Sequence, residues 1–212
     1  MRQLNERTEM LAGVSHDLRT PLTRMRLQLA LMKDSADTKA IGNDISEMEE
    51  MIGGYLAFAA GEGDENPQDI AIDEMLDRLV TQARKAHKFD IALSPVKDDI
   101  PVFLMRRNAI QRAFANIISN AIRYSSRTVV SIRLRNDEVI ITFDDNGAGI
   151  PQERRADAIR PFIRLEESRN RRTGGAGLGL SITSDIILSH GGELVLGDSP
   201  FGGLRVVIKL PV

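Results

Sequence analysis

The chain has 212 residues, 42% of them apolar and 27% charged, which is enough for a packed core in one large domain or two small ones. Its 28 basic and 30 acidic residues leave a formal charge of -2, and that balance argues against a chain built to grip nucleic acid. The absence of cysteine excludes disulfides, thiolate nucleophiles and Cys-based metal sites, and three histidines without an HExxH spacing disfavour a zinc enzyme.

The N-terminus, Met1-Arg2-Gln3-Leu4-Asn5-Glu6, carries no apolar run behind its positive charge and so does not read as a signal peptide. From Leu4 to Met32 the apolar residues follow a helical rhythm. Leu4, Leu11, Leu18, Met25 and Met32 fall seven apart, and Val14, Leu22 and Leu29 widen the stripe. A second stripe runs through Ile41, Ile45, Met48, Ile52, Tyr55 and Ala59. The short polar stretch between them, Lys33 to Thr38, holds residues suited to helix capping. The pattern predicts a helical hairpin that pairs with a second copy as a four-helix bundle. No stretch reaches the roughly 18 to 20 apolar residues of a membrane span, since Met51 to Ala60 is short and broken by Gly53 and Gly54. The chain therefore reads as soluble.

Gly61-Glu62-Gly63-Asp64-Glu65-Asn66-Pro67 is turn-forming, acidic and free of apolar residues, which marks a domain boundary. The expected division is residues 1–62, a linker at 63–67, and a second domain over 68–212. In that second domain the pattern predicts a helix from Asp73 to Lys85, strands at Phe89–Leu93 and Val102–Met105, and a helix from Asn108 to Ile122. Val129–Leu134 and Val139–Phe143 form a hairpin through Arg135-Asn136-Asp137-Glu138. A last helix from Leu178 to Ser189 stops at His190-Gly191-Gly192, and strands at Glu193–Leu196 and Leu204–Leu210 end the chain. The expectation is an α+β two-layer sandwich: an antiparallel-rich sheet with helices on one face.

His16 lies two residues before the core line of the first helix, beside Asp17 and with Thr20 one turn on. One reading is a solvated polar face. The other is a nucleophile, since a carboxylate can hold one ring nitrogen protonated and leave the other free to attack. Pro21, which kinks a helix at a cost of about 3 kcal/mol, favours the second. Two glycine runs, Asp145-Asn146-Gly147-Ala148-Gly149 and Gly174-Gly175-Ala176-Gly177-Leu178-Gly179-Leu180, are either turn chemistry or places where backbone N–H groups approach a phosphate. Between them Arg164 to Arg172 is a cationic lid, a solvated loop or a nucleic-acid patch, the last poorly supported without interleaved aromatics. Asn116 and Asn120, four apart on one helix face, either cap the core or offer oxygen to a hard cation such as Mg²⁺. His87, in a polar loop, and His190, at a helix end where its partial charge complements the dipole, carry no expected function.

In combination these segments resemble the catalytic core of a bacterial sensor histidine kinase. Ser15-His16-Asp17-Leu18-Arg19-Thr20-Pro21-Leu22 is similar to the phosphoacceptor box, and Asn116 to Ser125 to the N box. Asp145 to Gly149 is similar to the first glycine box, Arg160-Pro161-Phe162 to the F box, Gly175 to Leu180 to the second glycine box, and Gly202-Gly203 to the final glycine pair. The run Met10 to Arg24 resembles the EnvZ-like osmosensor subfamily.

The resemblance implies a phosphoacceptor hairpin in a homodimeric bundle, followed by the GHKL (Bergerat) ATP-binding sandwich. It implies that His16 takes the γ-phosphoryl group of ATP with Asp17 as general base, and that Thr20 orients water for dephosphorylating a response regulator. Asn120 with Asn116 would hold Mg²⁺, and Asp145 would accept the adenine amino group. Arg123, Tyr124, Gly147, Gly149 and Arg164 would line the nucleotide, and Gly175, Gly177, Leu178, Gly179 and Leu180 its phosphates. Relatives that hydrolyse ATP carry a Glu four residues before the metal-binding Asn; Asn116 stands there, which favours transfer over hydrolysis. The F box departs from the pattern at Ile159. The implied partners are a receiver-domain response regulator and a second copy. The implied setting is the cytoplasmic side of an inner membrane, with an upstream sensor segment lying outside this sequence.

Overall fold

The computed structural model describes residues 20–32, 35, 37–38, 41–42, 45–46, 48, 65–161, 163 and 177–212. The chain divides into two compact units, Met1–Asp64 with Glu166–Leu178, and Glu65–Leu165 with Gly179–Val212.

In the first unit residues 20–30 are helical, and helical residues recur from 37 to 48. Ser35 and Thr38 cap each other's backbone: Ser35 N–H donates to Thr38 Oγ1 at 2.8 Å and Thr38 N–H to Ser35 Oγ at 3.1 Å. Leu22 and Ile45 are buried, and a Cβ on Gly42 would lie 3.1 Å from Leu29 Cδ2, so the two segments touch. Met25, Leu31, Met32 and Met48 are exposed in the single chain. The apolar stripe thus splits between Leu22 and Leu29, which face the neighbouring segment, and Met25 and Met32, which do not.

The second unit runs β1 (Gln68–Ile70), α1 (Ile72–His87), β2 (Asp90–Leu93), β3 (Phe103–Met105), α2 (Arg107–Tyr124), β4 (Arg127–Arg135), β5 (Glu138–Asp145), a 3-10 turn (Gln152–Arg154), α3 (Arg155–Ala158), α4 (Gly179–Ser189), β6 (Glu193–Asp198) and β7 (Leu204–Pro211). Five strands form one sheet in the order β2-β4-β5-β7-β6, with β2–β4 parallel and the other pairs antiparallel. β1 and β3 make a separate antiparallel pair. Period-two patterning fixes which sheet face is inside: Val130, Ile132, Val139, Ile141, Phe143, Val206, Ile208 and Leu210 are buried, and the residues between them are not. The buried stripe of α2, running through Ile110, Phe114, Ile117, Ile118 and Ala121, covers that face, with Phe114 and Phe143 rings 6.2 Å apart. Asn136 and Asp137, both at positive φ, close the β4–β5 hairpin as a two-residue turn.

The predicted helices and strands of this unit are all present within a few residues of their expected ends, in the expected α+β sandwich. The pattern missed β1, whose Gln68 and Asp69 are exposed and show no apolar alternation, and the short Gln152–Ala158 turns. Among the described residues no helix is long and apolar enough to cross a membrane.

Candidate functional site

Helix α2 organises the site. Its buried stripe leaves Asn116, Asn120, Arg123 and Tyr124 along one flank, at helical spacing. Asn116 Nδ2 donates to Gly179 O at 3.3 Å, which ties the middle of α2 to the first residue of α4. The same carbonyl accepts Thr183 Oγ1 at 2.8 Å, a fully buried hydroxyl that also reaches Ala113 O at 3.4 Å. A Cβ on Gly179 would sit 3.6 Å from Asn120 Nδ2 and 3.7 Å from its Oδ1, so the Asn120 amide lies against the start of α4. Among the described residues no hydrogen bond engages that amide. Leu180 follows in the first turn of α4, where backbone N–H groups are unpaired within the helix.

The far end of α2 meets the first glycine run. A Cβ on Gly147 would lie 2.4 Å from Tyr124 O, a collision only glycine avoids. Asn146 fastens this approach, its Oδ1 accepting the N–H groups of Ser126 at 3.0 Å and Arg127 at 2.9 Å. Asp145 ends β5, 9% exposed, and its Oδ1 accepts both Gly147 N–H at 2.8 Å and Leu204 N–H at 2.9 Å. One carboxylate oxygen is therefore saturated by backbone, which orients the group and leaves Oδ2 as its remaining acceptor. Gly203 presses on the same oxygen: a Cβ there would be 2.2 Å from Asp145 Oδ1 and 2.4 Å from Gly147 N. Gly149, at φ +69, approaches Gly203 O.

On the opposite sheet face Asp144, 8% exposed, is held in a fork by Arg205, Nε to Oδ1 at 2.7 Å and Nη2 to Oδ2 at 2.9 Å. The hydrogen bonds to Asp144 raise the Arg205 guanidinium above its usual range, against the lowering effect of burial. This pair locks β5 to β7 beside Asp145 and Leu204, which face the other way.

The structure thus brings Asn116, Asn120 and Gly179 together at the middle of α2, and Tyr124, Gly147, Asp145 and Gly149 at its C-terminal end. Along this flank Arg123 is half-buried and Tyr124 is 44% exposed. Gly177, at φ +66, and Leu178, which is buried, group with the first unit. Thr20 is an exposed helical residue of that unit. His16, Asp17, Arg164 and Gly175 lie outside the described residues, as does Phe162 of the F box.

His190 follows the last residue of α4, at the helix end where it was expected. Its Nδ1 lies 2.7 Å from Ile186 O and its Nε2 accepts the Arg106 N–H at 3.2 Å. The ring caps α4 by hydrogen bonding, completing the last turn through its contact with Ile186 O.

The donor set suits a magnesium ion arriving with a phosphate chain. It offers amide oxygens without a carboxylate cluster, and among the described residues no group of three or more His, Cys, Asp or Glu could hold a metal by itself. A small hard cation that keeps several waters and takes most remaining ligands from substrate phosphates needs little more than this.

Sequence reasoning assigned no role of their own to Thr183, Asn146 and Gly203. Asn146 and Gly203 lay within the glycine motifs, but what they touch depends on the packing of the α2–β4 turn and on the β5–β7 register; Thr183 carried no signal.

The family described as "Histidine kinase-, DNA gyrase B-, and HSP90-like ATPase" matches residues 105–212, and that described as "His Kinase A (phospho-acceptor) domain" matches residues 6–64. Sensor histidine kinase CpxA of Escherichia coli K12 is 34% identical over 227 residues, an alignment covering 100% of this chain and 48% of CpxA. The chain therefore spans about half the length of the curated relatives it matches. The ATP binding domain of PrrB from Mycobacterium tuberculosis is 27% identical with a TM-score of 0.57, covering 69% of this chain and 97% of that domain. Full-length ShkA, solved in complex with AMPPNP, has the same fold, with a TM-score of 0.73 at 23% identity over 96% of this chain and 45% of ShkA.

Proposed function

The chain belongs to the sensor histidine kinases, and from that premise we propose that it is the autophosphorylating core of a two-component signalling protein. Residues 1–62 would carry the phosphoacceptor His16, 63–67 would connect, and 68–212 would bind ATP. The observation that carries this reading is the flank of α2. Its middle, at Asn116 and Asn120, meets the N-terminus of α4, and its end, at Tyr124, meets the Asp145 loop. From Asn116 to Tyr124 the helix rises about 12 Å, a span commensurate with an extended nucleotide lying along it.

In this reading the phosphates rest on the N–H groups of Gly179 and Leu180, with Gly175, Gly177 and Leu178 completing the loop, where the helix dipole favours negative charge. Asp145 Oδ2 accepts the adenine amino group, because Oδ1 is already occupied by Gly147 and Leu204. Arg123 and Tyr124 flank the sugar and base, and Arg164 adds a cation near the phosphates. Asn120 and Asn116 offer amide oxygens to Mg²⁺, which screens phosphate charge when bound. One ring nitrogen of His16 takes the γ-phosphoryl group as ADP departs, with Asp17 holding the proton of the imidazole. Asn116 occupies the place where a water-activating base would stand, so a protein nucleophile outcompetes water. The phosphoryl group then passes to an aspartate of a response regulator, and Thr20 orients water when the same surface dephosphorylates that partner. The active form is a homodimer, and the full-length protein sits in the inner membrane with this part in the cytoplasm.

The site is tested by titrating Mg²⁺ and a fluorescent ATP analogue into the chain. Asn120→Asp should weaken Mg-nucleotide binding tenfold or more, about 1.4 kcal/mol, with the circular dichroism unchanged; equal affinity would remove Asn120 from the metal role. Thr20→Ala should leave His16 labelling intact and slow dephosphorylation of the regulator, and a parallel loss of both would contradict its assigned part.

A further inference from the structure

The turn between β6 and β7 is held by more than its own hydrogen bonds. Ser199, which is buried, closes it from within. Its N–H donates to Gly203 O at 2.9 Å, while its carbonyl accepts Gly202 N–H at 3.0 Å and its hydroxyl accepts Phe201 N–H at 3.1 Å. At the entry of the turn Arg155 of α3 donates to Asp198. Phe201, at the tip, is 43% exposed, so its ring is not spent on the core. The Arg127 guanidinium lies over that ring, 5.4 Å from its centroid, a cation–π contact. Arg127 opens β4 and is itself fixed on three sides. Asn146 Oδ1 accepts its N–H at 2.9 Å, its carbonyl accepts Asn146 N–H at 3.1 Å, and its Nε lies 3.6 Å from Asp90 Oδ2 on β2. The stack therefore ties the β6–β7 turn to the strand start that also seats the Asp145-Asn146-Gly147 loop.

We propose that Phe201, anchored by Arg127, is a positioning residue for base selectivity: it holds the turn whose exit aims Asp145 at the 6-amino group of adenine. The proposal rests on the ATP-binding reading above. Asp145 Oδ1 accepts one N–H from Gly147, in its own loop, and one from Leu204, three residues beyond Phe201. Gly203, between Phe201 and Leu204, packs against the same oxygen. Released at its tip, the turn lets the Leu204 N–H drift, and Gly147 alone no longer fixes the rotation of the carboxylate. Oδ2 then loses its aim, and a base with an amino group gains less over a base without one. The phosphate end of the site is unaffected, because it is built on Asn116, Gly179 and Thr183 and not on this turn. Strain inside the turn is a separate matter: while Phe201 and Asp198 keep their arginines, Gly203 and Leu204 stay in place.

The test measures dissociation constants of the 212-residue chain for Mg-ATP and for Mg-purine riboside triphosphate, which lacks the 6-amino group. The wild-type chain should prefer ATP. Phe201→Leu, which keeps apolar bulk but removes the π face, and Arg127→Gln should each reduce that preference about two- to fivefold, the worth of an exposed cation–π pair. Affinity for the analogue should hold in both. Phe201→Tyr should keep the wild-type preference, and the double variant should lose no more than either single one. Equal weakening of both nucleotides would overturn the proposal, since the turn would then only support the pocket as a whole. So would an unchanged preference, or losses that add in the double variant. A wild-type chain indifferent to the amino group would remove Asp145 as its reader, and the positioning role would fall with that reading.

Discussion

Asp145 has a single oxygen left to offer, because Gly147 and Leu204 have claimed the other. Gly203 is the residue that makes this possible, and its contribution is steric. A methyl group there would stand 2.2 Å from Asp145 Oδ1, and also 2.4 Å from Gly147 N and 2.5 Å from Asp145 O; those last two are backbone atoms, which unlike a side-chain tip cannot swing away. Gly203→Ala should lower nucleotide affinity tenfold or more, about 1.4 kcal/mol. Gly202→Ala is the matching control: at φ +90 with nothing within 4 Å, it strains the turn by about 1 kcal/mol and leaves affinity unchanged. Comparable losses in both variants would show that turn integrity, not contact with the carboxylate, governs binding. At this scale the sequence was informative about residue type and silent about partners. Asp145, Asn116 and Asn120 stood out as polar groups in apolar or glycine-rich surroundings. Gly203 acts on Asp145 only because β7 pairs with β5 so that Asp144 faces Arg205, a register no local pattern encodes.

Among the elements, α2 and α4 position the candidate site; the Asn116 amide reaches Gly179 O across them, and the Thr183 hydroxyl reaches Ala113 O. Gly179 O receives both the Asn116 amide and the Thr183 hydroxyl. Thr183→Val removes a fully buried donor without changing shape, so it should cost about 1 kcal/mol. Urea denaturation should show a lower midpoint at constant slope; an unaltered midpoint would mean that Asn116 alone satisfies the carbonyl. The helices were legible because apolar spacing sets their faces, and the β4–β5 turn because Asn136 and Asp137 tolerate positive φ. β1 was not, since its Gln68 and Asp69 carry no apolar alternation and are held by pairing with β3. The start of α2 was equally hidden: its cap, Glu65, is distant in sequence, and the Arg106-Arg107 pair gives no local start signal.

For the molecule as a whole, composition and patterning set the division into a helical segment and an α+β sandwich, whereas strand order β2-β4-β5-β7-β6 follows from long-range pairing. The exposed Met25 and Met32 fit the proposed homodimer, in which a helical hairpin would bury its remaining stripe against a second copy. The proposed function joins two chemistries on one chain, a nucleotide-binding sheet and a phosphoacceptor histidine, so its decisive test must detect transfer between them. That measurement is incubation of the wild-type chain and His16→Gln with Mg²⁺ and γ-labelled ATP, followed by acid and alkali treatment of the denatured protein. The account predicts covalent label on the wild-type chain alone, stable to alkali and lost in acid as a phosphoramidate is. Label retained in His16→Gln, or ATP hydrolysed to free phosphate without any covalent product, would contradict it.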